Sequence, residues 1–73
     1  MITGEQVRAA RKLLGWAQMT LALEANVALQ TIAKFETGQS RPFVHTTSTI
    51  KRTLEHAGVE FPESEPVRMR KVK

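Results

Sequence analysis

The 73-residue chain contains no cysteine, no aspartate and no tyrosine. Without cysteine there is no disulfide framework and no thiolate to act as nucleophile or metal ligand. The two histidines, His45 and His56, have no cysteine or aspartate near them, so neither metal-ligand spacing nor a nucleophile–base pair can be drawn. They read as surface histidines; no catalytic activity, metal or cofactor is expected. Long apolar runs are also missing. Leu21-Ala22-Leu23 is among the longest, whereas a membrane span needs about 20 apolar residues. The opening Met1-Ile2-Thr3-Gly4-Glu5-Gln6 lacks a basic stretch followed by an apolar one, so no secretory signal is expected. These absences are compatible with a cytoplasmic setting.

What remains is ordinary globular composition, 41% hydrophobic and 25% charged. A chain of this length buries one limited core, so its packing must be efficient or a partner must help. The net charge is +4, unevenly spread. Residues 1–58 carry seven basic and four acidic side chains, while 59–65 hold only Glu60, Glu63 and Glu65. Residues 66–73 hold Arg68, Arg70, Lys71 and Lys73 and no acid. A basic domain with a basic tail favours a polyanionic partner; a solvated surface with a frayed tail accounts for the charge equally well.

Thr3 and Gln6 stand at capping-box spacing, with Ile2 and Val7 placed as a hydrophobic staple. Val7, Ala10 and Leu14 then share a face, and Gly15 supplies a stop. This predicts a first helix from about Gly4 to Leu14. A second begins near Ala17, a poor cap because it has no side-chain acceptor, and buries Leu21, Ala22 and Ala25. Asn26 tolerates the left-handed conformation that ends a helix, and Val27 plugs the turn. A third helix is predicted from about Ala28 to Thr37, stopped by Gly38. Pro42 biases Arg41 away from helix and marks a loop. A fourth helix spans roughly Val44 to Ala57, with Ile50, Leu54 and Ala57 inward and Gly58 as terminator.

After Gly58 the period changes to two. Val59-Glu60-Phe61 and Val67-Arg68-Met69-Arg70 alternate apolar and polar, and the Pro62–Pro66 connector is of hairpin length. The expected domains are therefore 1–58, helical, and 59–73, a hairpin or an extended basic tail. Val59 with Phe61, and Val67 with Met69, are expected to offer two apolar faces. One small chain does not readily cover both, which points to packing across a two-fold dimer.

The second and third helices, joined by the tight Asn26-Val27 turn, form a helix-turn-helix. At about 100° per residue, Ala28, Ile32 and Phe35 fall on the side of the third helix that must face the core. Gln30, Lys34 and Thr37 emerge opposite, with Ala33 near them and Leu29 and Thr31 on the flanks. A side chain that can bond a base edge, a cation and small or apolar groups thus share one face. The major groove offers partners for each, although a plain solvated face has the same look.

Gln18, Leu21-Ala22, Ala25, the turn pair, Thr31-Ile32, Glu36 and Gly38 occur in an order that resembles the phage-repressor-like (Xre/Cro-type) helix-turn-helix family. The likeness extends to the basic positions of the first helix, Pro42, Ile50, Leu54 and Gly58, and covers about residues 4–58. It departs from the family at Ala17 and Ala28, where hydroxyl caps are usual, at Asn26, where glycine is usual, and at Met19 and Thr20, which are commonly polar or acidic. Thr47 stands where a core leucine is common.

The resemblance implies a mainly α, lambda-repressor-like bundle of about four helices followed by a short C-terminal hairpin or tail. It implies a sequence-specific regulator of transcription, a repressor above all, binding double-stranded DNA as a homodimer on a palindromic operator. Leu29, Gln30, Ala33 and Lys34 are the expected base readers. Gln18, Thr31, Thr37, Ser40 and Arg41 are the expected phosphate contacts. The resemblance also implies that Arg11 and Glu36 pair structurally, bridging the first and third helices. Trp16 is expected as a partly buried anchor. The alternative is an antitoxin that uses the same fold and clamps a toxin through its C-terminal hairpin.

Overall fold

The structure is a computed structural model that describes residues 2–62 and 66–70. Four helices follow in order: α1 (Gly4–Leu14), α2 (Gln18–Ala25), α3 (Leu29–Thr37) and α4 (Val44–His56). A two-stranded antiparallel hairpin, β1 (Val59–Glu60) and β2 (Arg68–Met69), closes the chain. The charges expected of Glu63, Glu65, Lys71 and Lys73, and the centre of the hairpin connector, lie outside the described residues.

The first helix begins as its cap predicts. Thr3 Oγ1 accepts from the Gln6 amide at 3.2 Å, and Gln6 Oε1 accepts from the Thr3 amide at 2.9 Å. Ile2 and Val7 are both buried beneath this box. The first three helices end alike, with Gly15, Asn26 and Gly38 in the left-handed region. At each end two successive amides fold back on the last turn, as Gly15 does to Lys12 (3.1 Å) and Trp16 to Arg11 (2.9 Å). Asn26, at φ 56°, performs the role that glycine serves elsewhere.

α2 and α3 pack on each other, α1 lies against α3, and α4 closes the bundle against α1 and α2. Val7, Ala10, Leu21, Ala22, Ala25, Ile32, Phe35, Ile50 and Leu54 form the shared core, with Leu14, Trp16 and Val27 packed at its edge. Full burial of a Leu or Ile side chain is worth about 1.5–3 kcal/mol, so this small set carries most of the stabilisation. Thr47 is buried in it. Its hydroxyl donates to the Phe43 carbonyl at 3.2 Å, so replacing a leucine here leaves no unpaired polar group. At Gly4, α1 comes so near α3 that a Cβ would overlap the Phe35 carbonyl oxygen; only glycine fits.

Several expectations are corrected. Ala28 does not face the core with Ile32 and Phe35 but is exposed. It is the N-cap of α3 in extended conformation (φ −68°, ψ 145°), so it is out of phase with the helix that follows. Ala57 is only half-buried, because α4 ends at His56 and Ala57 serves as its cap. Finally, the hairpin does not offer two apolar faces. Val59 pairs directly with Met69 and Glu60 with Arg68, and opposed residues project to the same side of a sheet. Val59 is buried and Phe61 and Val67 pack on the core, so the face rests on the chain's own helices. The strands are also shorter than the alternation suggested.

Arg70, read from sequence as part of a basic tail, instead anchors β2. Its amide donates to the Gly58 carbonyl at 2.6 Å and its guanidinium to the Glu55 carbonyl at 3.0 Å, where α4 ends with carbonyls left over. Among the described residues, no helix is long and apolar enough to cross a membrane.

Candidate nucleic-acid interface

α3 is held from behind and open in front. Ile32 and Phe35 are buried against the bundle, while Gln30 and Lys34 are exposed and Leu29 is 39% exposed. Ala33 and Thr31 are half-buried on the flanks. The four residues expected to read bases therefore lie on one outward stretch of α3, with Ala33 recessed among them. The α3–α4 loop that follows brings Ser40 and Arg41 into solvent beside this stretch.

The third helix is fixed in orientation by an ion pair from α1. Arg11 Nε and Nη2 donate to the two carboxylate oxygens of Glu36, both at 2.8 Å, and Nη1 donates to the Trp16 carbonyl at 2.8 Å. Side-chain exposure is 12% for Arg11 and 3% for Glu36, so this bidentate geometry operates largely out of water, where such pairs gain most from good alignment. Burial alone would raise the Glu36 pKa. Hydrogen bonds from Arg11 and Gln18, with the charges of Arg11 and Arg8, outweigh it and hold the carboxyl below its ordinary value. The same bond raises the Arg11 pKa against desolvation, so both partners remain ionised.

Two of the expected phosphate contacts have other partners. The Gln18 amide donates to Glu36 Oε1 at 3.2 Å, which joins the start of α2 to the ion pair. Sequence reading missed this link, because it depends on the 18-residue separation closing in space. The Thr37 hydroxyl donates back to the Ala33 and Lys34 carbonyls, each at 3.2 Å. Thr31, Ser40 and Arg41 have no such side-chain bond among the described residues.

Between α3 and the start of α4 runs an open groove of about 530 Å³, lined among others by Gln30, Thr31, Lys34, Ser40, Arg41 and Phe43. None of its lining residues is acidic, and neither Lys34 nor Arg41 has an ion-pair partner among the described residues. Phe43, which sequence reading passed over, is 85% exposed on the rim. The signal available was an aromatic directly after Pro42 in an otherwise polar loop, with no helical phase to bury it.

No curated protein matches the chain. The helix-turn-helix family model matches residues 7–46, more than half of the chain, and takes in α2, α3 and the loop that follows them. With the bundle, the left-handed turn at Asn26 and the Arg11–Glu36 brace in place, the chain belongs to the Xre/lambda-repressor-like helix-turn-helix family of DNA-binding regulators.

Proposed function

We propose that this protein binds double-stranded DNA in a sequence-specific manner, with α3 in the major groove, and represses transcription. The outward face of α3 carries the reading: a braced helix presenting Leu29, Gln30 and Lys34 to solvent beside an acid-free cationic groove. Gln30 has the donor and acceptor that pair with adenine, Lys34 can donate to guanine, and Leu29 and Ala33 suit thymine methyl groups. Arg41, Ser40 and Thr31 are assigned to the phosphates that fix register. Gln18 shares that task through whatever its carboxamide does not commit to Glu36, and Thr37 joins only by exchanging a helical carbonyl for a phosphate.

Repression through a palindrome requires two copies with their α3 helices about 34 Å apart, one turn of DNA. The hairpin packs on its own helices but leaves Met69 42% exposed, and the mass of the protein in solution after truncation beyond Gly58 tests whether it takes part in the dimer. A second reading, an antitoxin on the same fold, draws on Met19 and Leu23 of α2, of which Leu23 is 73% exposed. An antitoxin would co-purify with its toxin from the native host; a regulator alone would not.

Selection from a random duplex pool with the purified protein tests the proposal. An enriched two-fold symmetric consensus supports it. Retention of all duplexes alike, with no enrichment, would overturn sequence-specific binding.

A further inference from the structure

We propose that Phe43 is a DNA-contacting residue, laying its ring against the apolar surface of the duplex beside a phosphate held by Arg41. The inference rests on the reading of α3 given above and extends the interface to the first residue before α4. Phe43 is 85% exposed, the largest exposure among the big apolar side chains of the described chain. Nothing within the fold requires it there. Its contribution to α4 is made through its backbone carbonyl, which accepts from the Thr47 amide at 2.9 Å, and any residue would supply that.

The surroundings of the ring select its occupant. It shares the groove with Lys34 and Arg41 and with no acidic residue. A second copy docked through this groove would set those cations against their own equivalents with no carboxylate between them, an unfavourable arrangement. An acidic, apolar-studded polymer suits it. Double-stranded DNA offers phosphates to Arg41 and Lys34, and between them the deoxyribose faces and the C5-methyl groups of thymine, the apolar groups a phenyl ring can cover. Gln30 opens onto the same groove, which places the ring next to a side chain assigned to base edges.

The test uses the full chain and duplexes recovered by the random-pool selection, as whole sites and as isolated half-sites, together with the variants Phe43→Ala and Phe43→Leu. Both variants should keep the wild-type thermal midpoint, because the side chain is exposed. Phe43→Ala should bind the half-site about fivefold or more weakly, with Phe43→Leu in between. Replacing thymines one at a time by deoxyuridine then separates the two apolar sources. A deoxyuridine loss at one position that disappears in Phe43→Ala assigns the ring to a methyl group; a set of sensitive positions identical in wild type and Phe43→Ala assigns it to deoxyribose, and either, with the weaker half-site binding, supports the contact. Wild-type affinity in Phe43→Ala overturns the inference while leaving α3 readout intact. Weakening confined to the two-site duplex, with half-site affinity unchanged, also overturns it, since the ring then touches the other copy. Failure to enrich any duplex removes the α3 reading and this inference together.

Discussion

Arg11 grips Glu36 with two parallel hydrogen bonds of 2.8 Å across 25 residues of chain, and its remaining nitrogen holds the Trp16 carbonyl that leads into α2. One guanidinium thus ties α1, the α1–α2 turn and α3 together. A pair in this position sets the angle at which α3 leaves the bundle.

Removing one partner is therefore costly. Arg11→Met strands a nearly buried carboxylate, and a loss of about 3–5 kcal/mol is expected from chemical denaturation. The double variant Arg11→Met, Glu36→Leu should recover much of that loss, because it strands no charge. A cost below about 1 kcal/mol for the single variant would show that the pair behaves as an ordinary surface bridge.

Acid should undo the same brace. The Glu36 pKa is depressed in the folded protein, so its contribution is fully present above the unfolded carboxylate value near 4.5. It is lost as pH falls through the lower folded value. Thermal midpoints measured from neutral pH downward should hold until about that point and then drop. Glu36→Gln, less stable at neutral pH, should show a shallower drop; an identical slope in both would place the acid sensitivity elsewhere.

Ala28 offers no side-chain acceptor to the opening amides of α3, and it is exposed with extended backbone. Ala28→Ser should stabilise by about 0.5–2 kcal/mol. In a domain of this size each kcal/mol raises the thermal midpoint by roughly 4–8 °C, so calorimetry reads the change directly. An unchanged or lowered midpoint would mean that the serine does not engage the cap.

Gln30→Ala and Arg41→Ala should separate base reading from phosphate positioning without disturbing the core. Loss of Gln30 should cost about 1–3 kcal/mol on the selected site and relax preference at one position. Loss of Arg41 should weaken all duplexes alike and lower the salt slope by about one. Lys34→Ala can follow either pattern, since its ammonium reaches a guanine or a phosphate. Titrations at several salt concentrations, on selected and scrambled duplexes, distinguish these. Equal, sequence-independent losses for Gln30 and Arg41 would remove the case for direct readout.

Much of the fold was legible because its signals are local. Thr3 and Gln6 announce α1 from three residues apart, and Gly15, Asn26 and Gly38 mark helix ends by their own backbone preferences. The outward face of α3 followed from angular spacing once Ile32 and Phe35 had fixed the inward one. What escaped was set by distant partners or by phase. Gly4 looked like an ordinary helix start, yet its need is dictated by a carbonyl 31 residues on. Ala28 was assigned to the core by extending the helical angle one residue too far. The hairpin faces depended on register, which alternation within a single strand does not contain. Gln18 was expected at a phosphate, but Glu36, 18 residues on, decides where its amide rests.

The helix starts are unequal in a way that reaches into dynamics. α1 opens with a complete reciprocal cap, whereas α2, α3 and α4 open at Ala17, Ala28 and Phe43 with no side-chain cap at all. Short helices gain most of their stability from packing, so the first turns of these three depend on neighbours rather than on themselves. Amide hydrogens there should exchange with solvent through small local openings, well before those on the Ile32 and Leu54 turns. On the proposed reading, these uncapped starts face the DNA backbone, and a bound phosphate would order them by supplying the acceptors that the chain itself omits.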